Sequence, residues 1–230
     1  MTTQSVFEKY TDEVYPFVFN GALHVHTIAG GIPSDPKVTE GWLKSKVTDK
    51  DDLIRDMLAQ TMLERGISEE EALAQVDQLK HLNGFKRDET SGELYIDGRQ
   101  LKAALKEAAM VAANAGNIST KGWGNPDNGN FKKGLKGWLP EHIFVTNQRL
   151  FLGVTEPTGI VQRFVHTHRG AAIQYEEYVE NARIEFEVVS DYDFTDRDWA
   201  SIWLTGEKQG IGASRSQGFG TYAVVRWERV

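Results

Sequence analysis

A glycine-rich run near the carboxyl end of the chain reads Gly210-Ile211-Gly212-Ala213-Ser214-Arg215-Ser216-Gln217-Gly218-Phe219-Gly220-Thr221-Tyr222. Glycine tolerates positive φ angles and lets the backbone approach a ligand closely. The run leads directly into a strand-like segment, Ala223-Val224-Val225-Arg226-Trp227. A loop of this composition can present a row of backbone N–H groups to an anion. It therefore predicts either a phosphate-binding loop or a tight turn between a helix and a strand.

Apolar periodicity upstream of this run predicts alternating strands and helices. Strands are predicted at 17–27, 92–96, 143–145, 150–152, 158–168, 174–189 and 222–227, and helices at 99–113 and 195–208. The later helix has Thr195 as its expected N-cap and turns Trp199, Ile202 and Trp203 to the core. The earlier helix has an apolar face made of Leu101, Ala104, Leu105, Ala108 and Val111. In 183–189, Ile184, Phe186 and Val188 alternate with charged residues, which is typical of a half-buried strand.

This order of elements predicts one α+β domain over residues 1–230, in which helices cover one face of an antiparallel sheet. The segment 38–90 is predicted to be an acidic helical insertion, because apolar residues recur there with helical spacing between 50 and 82. Residues 114–140 are rich in glycine, asparagine and lysine and lack periodicity, which predicts a long loop.

Composition and charge limit the function classes. The chain has 230 residues, a net charge of −7 and no cysteine, so disulfides and thiolate metal sites are excluded. No apolar run reaches membrane-spanning length and no signal-peptide apolar region is present, so we expect a cytoplasmic protein without a membrane partner. The acids concentrate in 49–77, whereas 121–175 is basic. Local charge steers a ligand more than total charge does, although both segments also fit ordinary solvated surface.

Three separated stretches of the chain resemble segments of one protein family. The family has a strand–turn–helix in which an aromatic-Ile-Pro-Gly-Ser turn opens a helix with a small-residue face. The stretch that resembles it here is Tyr95-Ile96-Asp97-Gly98-Arg99-Gln100-Leu101-Lys102-Ala103-Ala104-Leu105-Lys106. Its carboxyl-terminal glycine-rich loop, with an Arg-Ser-x-Gly-aromatic-Gly core, resembles 210–220. Its first strand and glycine turn resemble 23–31. The stretch 183–188 lies where the family has the opening strand of its second half. This family is the RAMP superfamily.

RAMP proteins are the RNA-binding subunits and RNA-processing nucleases of CRISPR effector complexes. The resemblance implies a ferredoxin-like, RRM-like antiparallel sheet and binding of single-stranded nucleic acid, with RNA favoured. The most similar subgroup is the backbone subunit that polymerises along a guide RNA, which implies a homo-oligomer or sibling RAMP-like subunits as partners. Asp97 and Arg99 stand where the family has Pro and Ser. Binding of single strands, DNA included, is therefore implied more strongly than membership of a CRISPR complex.

The candidate nucleic-acid contacts fall into four groups. The glycine-rich run contributes Gly212, Ser214, Arg215, Ser216, Gly218 and Phe219, and the helix after Asp97 contributes a basic stripe of Arg99, Lys102 and Lys106. The long loop interleaves aromatic residues with cations, which suits stacked bases and phosphates, and contributes Lys121, Trp123, Lys132, Lys133 and Lys136. The basic middle of the chain adds Arg163, His166, His168 and Arg169. The alternatives are a tight turn, a solvated helix face and a loop that its tryptophans anchor to the body.

A nuclease is the alternative function. Side chains alternate along a strand, so His24 and His26 share one side of the first strand. Asp35 lies in the loop after that strand, where target-cleaving RAMP backbone subunits carry an acidic residue. The candidate catalytic residues are therefore Asp35 and His26. A metal site built from the His24–His26 and His166–His168 pairs is a further alternative, but we expect no metal and no cofactor. A third alternative is a structural subunit or an inhibitor that mimics a RAMP surface.

Overall fold

The computed structural model describes residues 8–33, 68, 82–118, 139, 141–167 and 170–230. In chain order they form a 3₁₀ turn (Glu8–Tyr10), helix α1 (Thr11–Val14), strands β1 (Phe17–Ala29), β2 (Ile32–Pro33), β3 (Leu82–Gly84), β4 (Lys86–Arg87) and β5 (Leu94–Asp97), and helix α2 (Gly98–Asn114). These are followed by β6 (Ile143–Val145), β7 (Arg149–Phe151), β8 (Gly159–Thr167), β9 (Gly170–Ser190), helix α3 (Asp196–Gln209), a 3₁₀ turn (Arg215–Gln217) and β10 (Tyr222–Arg229).

The central unit of the fold is a four-stranded antiparallel sheet with two helices. Strand β1 pairs with β10 on one side and with β9 on the other, and β6 pairs with the far side of β9. In chain order the unit is therefore β1–α2–β6–β9–α3–β10, with the strand order β10–β1–β9–β6. This is the β-α-β-β-α-β arrangement of ferredoxin-like folds. The predicted α+β, ferredoxin/RRM-like class is confirmed.

The core lies between this sheet and the two helices, which pack against each other on one face. The inward positions of the two central strands are Phe19, Leu23 and Val25 on β1 and Ile184, Phe186 and Val188 on β9. Aromatic rings close the core under α3. The Trp199 ring, 2% exposed, has its centroid 5.2 Å from that of Phe19 and 4.8 Å from that of Trp227. The predicted alternation in β9 thus places its apolar residues on one face of the strand, which packs against α3.

Two further groups of strands surround this unit. Strand β9 extends beyond β1 and forms an antiparallel hairpin with β8, and β3 runs parallel to it at Tyr175 and Glu176. Strands β4, β5 and β7 form a separate three-stranded antiparallel sheet. Because β5 ends at Asp97 and α2 begins at Gly98, this small sheet fixes where the helix starts. Among the described residues, no helix is long and apolar enough to cross a membrane.

Local signals in the sequence predict most element boundaries. Thr195 caps α3 as predicted: its side chain accepts the Asp198 N–H at 3.2 Å, and the Asp198 carboxylate accepts the Thr195 N–H at 3.1 Å. Val111, which the sequence places on the apolar face of α2, is 44% exposed and lines a groove beside Leu204 on α3.

The two predicted irregular segments lie largely outside the described residues. Within the predicted insertion 38–90, residues 82–87 form β3 and β4 rather than the end of a helix, because Leu82 pairs with Tyr175 of β9. The rest of that segment is not among the described residues, except Ser68 and 88–90. In the predicted loop 114–140, only 114–118 and Leu139 are described.

Candidate nucleic-acid interface

A basic cleft lies where α2 begins, between the small sheet and the segment that joins β6 to β7. Its volume is about 450 Å³, and its lining residues are Lys86, Asp97, Gly98, Arg99, Lys102, Val145, Asn147 and Gln148. The cleft therefore contains the side chains of three cations and of one carboxylate. Two of these cations, Arg99 and Lys102, belong to the basic stripe predicted from the sequence, and the third is supplied by β4.

A glycine at the first position of α2 allows the walls of the cleft to approach each other. The Gly98 N–H donates to the Gln148 carbonyl at 2.9 Å. A Cβ atom at Gly98 would lie 1.9 Å from the Asn147 carbonyl oxygen, which is far inside contact distance. The glycine of the strand–turn–helix therefore brings Asn147 and Gln148 to the start of α2, and this contact forms one side of the cleft.

Asp97 holds two of the three cations in place. Its carboxylate accepts hydrogen bonds from Lys86 Nζ at 2.8 and 2.9 Å and from Arg99 Nε at 3.1 Å. Burial of Asp97 disfavours its charged form, but the bonds from Lys86 and Arg99 outweigh that effect and hold its pKa below the ordinary value of 3.8. The carboxylate is thus ionised at neutral pH and neutralises one of the three positive charges.

Lys102 is the cation of the cleft that Asp97 does not bind. Its ammonium group lies 4.3 Å from the centroid of the Phe144 ring, and no carboxylate of the described residues forms an ion pair with it. Partial burial lowers the pKa of Lys102, because the charged ammonium loses water there. Lys106 lies one turn further along the same side of α2 and likewise has no ion-pair partner among the described carboxylates. An anion bound along this stripe would replace the water that the Lys102 ammonium group has lost.

The glycine-rich run forms a compact loop that is tied to β1. Gly220 N donates to the Thr27 carbonyl at 2.7 Å, Ile211 N donates to the Gly220 carbonyl at 2.9 Å, and Ala213 bridges to Ala29. Ser214 has a left-handed backbone with φ of 56°, and its hydroxyl donates to the Glu176 carboxylate at 2.7 Å. The loop thus connects α3 to β10 and lies against β9 at the same time.

Arg163 lies beneath this loop in a buried cluster. Its Nε lies 3.2 Å from the Glu176 carboxylate, and the side chains of both residues are almost fully buried. The guanidinium carbon is 3.8 Å from the centroid of the Phe219 ring, and Nη1 bonds the Gln217 side-chain oxygen. Three predicted contacts, Arg163, Ser214 and Phe219, therefore meet in one place and bond to groups of the protein itself.

The other predicted residues of the loop lie nearer its surface. Arg215 donates to the Glu107 carboxylate of α2 at 2.6 Å, which joins the loop to the helix that carries the basic stripe. Ser216 and Gly218 are exposed, and Gly212 is half-buried. A role for these residues in binding nucleic acid stays a prediction.

The histidines predicted for the nuclease lie on the sheet face opposite the helices. His26 is exposed and His24 is half-buried, with ring centroids 5.6 Å apart, and the backbone of His24 is opposite Arg183 of β9. The described residues contain no group of three or more side chains placed to hold a metal ion. Asp35 lies outside the described residues. The nuclease alternative stays a prediction.

Several predicted contacts cannot be placed. Those outside the described residues are Lys121, Trp123, Lys132, Lys133, Lys136, His168 and Arg169, and His166 is described only as a backbone position in β8. Sequence reasoning missed other members of the cleft, namely Lys86, Asn147 and Gln148. No local pattern marks them, because strand pairing and the Gly98 contact bring them to α2 from distant parts of the chain.

Comparisons with known proteins identify no family for this chain. No protein-family model matches it, and no curated protein matches it. Among solved structures, it is similar to a chain in the cryo-EM structure of the Type III-B Cmr-beta bound to cognate target RNA. The sequence identity is 10% and the TM-score is 0.48; the match covers 97% of this chain. The chain spans 63% of the length of that protein.

Proposed function

We propose that this protein binds single-stranded nucleic acid, RNA in preference to DNA, without strong sequence preference. The observation that carries the proposal is the basic cleft with its extension along α2. Lys86, Arg99 and Lys102 line the cleft beside a single carboxylate, that of Asp97, and Lys106 continues the stripe. Phosphate contacts of this kind supply most of the affinity in binding that does not depend on sequence. The net charge of −7 is compatible with binding of nucleic acid, because the local electrostatic field around the cleft governs how the strand approaches.

The size of the cleft favours a single strand over a duplex. A volume of about 450 Å³ is within the range of sites that hold one small molecule. Such a site accommodates one or two nucleotides of a strand whose bases are separated. A rigid duplex could reach the cations only from outside the cleft. Single strands should therefore bind more tightly than the duplex of the same sequence.

The resemblance to the RAMP superfamily supports the same proposal independently of the charges. The stretch 95–106 that resembles the RAMP strand–turn–helix is the segment that forms one wall of the cleft. The chain folds into the ferredoxin-like sheet that the resemblance implies. We therefore propose a RAMP-like protein whose partners are an RNA strand and either further copies of itself or sibling RAMP-like subunits.

Assembly along the strand is the second part of the proposal. The sequence has an acidic segment at 49–77 and a basic one at 121–175, so one copy can present its acidic segment to the basic segment of the next. A head-to-tail contact of this type does not close on itself and generates filaments. The size of the complex should therefore increase with the length of the bound oligonucleotide.

Titration of fluorescent oligonucleotides tests both parts. With three or four phosphate contacts, the affinity for single-stranded RNA should fall about 20- to 50-fold between about 50 and 200 mM salt. The duplex should bind more weakly, and sedimentation should show larger complexes on longer strands. Absence of binding at low salt, or an affinity that salt leaves unchanged, would overturn the binding proposal. A protein that stays monomeric on strands of every length would remove the assembly.

A further inference from the structure

The outward face of the small sheet is a surface that the sequence does not mark. The pairing of its three strands places Lys86, Tyr95 and Phe151 side by side in one row. The next row along the strands pairs Asp97 with Arg149. Because side chains alternate between the two faces of a sheet, these five residues share one face. Leu94, Ile96 and Leu150 have the opposite orientation and are buried in the core.

Three of these residues form a stacked group, which we call the aromatic platform: Tyr95, Arg149 and Phe151. The Arg149 guanidinium lies 5.1 Å from the centroid of the Tyr95 ring, within cation–π distance. Phe151 is 38% exposed, and its ring meets the Tyr95 ring edge-on at 5.9 Å. Arg149 also bonds the Asp88 carboxylate, which holds the guanidinium over Tyr95. The Arg149 side chain is 50% exposed, so both it and Phe151 are accessible to solvent.

The aromatic platform adjoins the basic cleft. Lys86 and Asp97 line the cleft and also flank Tyr95 and Arg149 on the small sheet. Planar groups and cations therefore lie on one continuous surface. A strand whose phosphates contact Lys86, Arg99 and Lys102 would have its bases within reach of the platform.

We propose that the aromatic platform stacks two bases of a single-stranded nucleic acid whose phosphates occupy the basic cleft. Phe151 receives one base and the outer plane of the Arg149 guanidinium, which Tyr95 supports from below, receives the other. Bases stack on aromatic rings and on arginine planes in proteins that bind single strands. The inference rests on the proposed function and adds to it the residues that contact the bases.

Geometry favours separated bases as the occupant. Residues 149 and 151 are two positions apart on one strand, a spacing of about 6.6 Å. Stacked bases of a duplex are about 3.4 Å apart, so two neighbouring duplex bases cannot each use one of these positions. The exposed apolar area is also small, because Phe151 is the large exposed apolar side chain of this face among the described residues. A protein partner would require a broader apolar patch.

Comparison of a normal oligonucleotide with one of the same length that lacks its bases tests the platform. Both oligonucleotides carry the same phosphates, so the ratio of their affinities measures the contribution of base stacking. Stacking on one aromatic side chain corresponds to about 5- to 150-fold in affinity. The wild-type protein should therefore bind the normal strand at least about fivefold more tightly, and Phe151→Leu, which loses one of the two stacking positions, should reduce that preference. Arg149→Lys keeps the positive charge but lacks the planar guanidinium group. It should also reduce the preference for the normal strand.

Two controls separate stacking from a structural effect. Tyr10→Leu removes an exposed ring that lies outside the platform, and this variant should bind both strands like the wild type. In the wild-type complex, 2-aminopurine placed in the strand should lose fluorescence on binding, a readout that needs no variant.

The outcomes distinguish the inference from the function on which it rests. If the wild type binds both strands equally, or if Phe151→Leu and Arg149→Lys keep the full preference, the platform is overturned and the proposed function stands. If the wild type binds neither strand, both are overturned. A preference that is reduced in the two variants and kept in Tyr10→Leu supports the platform.

Discussion

Replacement of Arg163 by leucine should destabilise the protein by about 3–5 kcal/mol, because it leaves a carboxylate buried without its cation. Glu176 is 3% exposed, and its remaining partner would be the Ser214 hydroxyl, which donates to it at 2.7 Å. The substitution also removes the bond to Gln217 and the stacking on Phe219. Urea unfolding of the variant and the wild type measures the loss.

Two further variants make this expectation specific. Arg183→Leu breaks the exposed pair with Glu185, whose side chains are 63% and 57% exposed, and should cost no more than about 1 kcal/mol. The double variant Arg163→Leu, Glu176→Leu removes both charges and should be more stable than Arg163→Leu alone. A cost for Arg163→Leu that equals the cost for Arg183→Leu would show that the buried pair does not hold the loop to β9.

Gly220→Ala is the second large effect, with an expected cost of about 3–5 kcal/mol. Gly220 has φ of 79°, and a Cβ atom there would lie 1.9 Å from the Ile211 carbonyl oxygen. The obstacle is backbone, so no side chain can rotate away from it. Relief would break the bond from Gly220 N to Thr27 O or the bond from Ile211 N to Gly220 O. Thermal unfolding with an independent urea titration measures the cost.

Gly218 provides the matched control in the same loop. It has φ of 89°, but no atom lies within 4 Å of the position of its Cβ. Gly218→Ala should therefore carry only the cost of the left-handed backbone, about 1–2 kcal/mol. If Gly218→Ala is as destabilising as Gly220→Ala, the close approach to Ile211 is not what requires the glycine.

Much of the fold can be predicted from the sequence because its signals are local. Alternation in 183–189 predicts the buried face of β9, and Thr195 as an N-cap residue predicts the start of α3. Val111 shows what helical periodicity does not predict. The spacing does not reveal whether a residue at the edge of the apolar face of α2 is buried against α3 or lines a groove. The three-stranded sheet could not be predicted, because β4 has only two residues and β7 pairs with β5 from a distant part of the chain.

The candidate interface could likewise be predicted only in part from the sequence. The i, i+3, i+7 spacing predicts that Arg99, Lys102 and Lys106 share a side of α2, and Arg99 and Lys102 both line the cleft. Lys86 and Phe151 belong to the same surface only because their strands pair with β5. For the glycine-rich run, the sequence indicates positive φ angles but not that Arg163 lies beneath the loop with Glu176.

The difference in salt dependence between the wild type and Lys102→Gln, Lys106→Gln tests the central claim most directly. If each lysine contacts one phosphate, the slope of log affinity against log salt should become less negative by about 1.4 in the double variant. Lys208→Gln, an exposed lysine in the last turn of α3, should leave both slope and affinity unchanged. An unchanged slope in the double variant, or an equal change in Lys208→Gln, would contradict binding of the strand along α2 and its cleft.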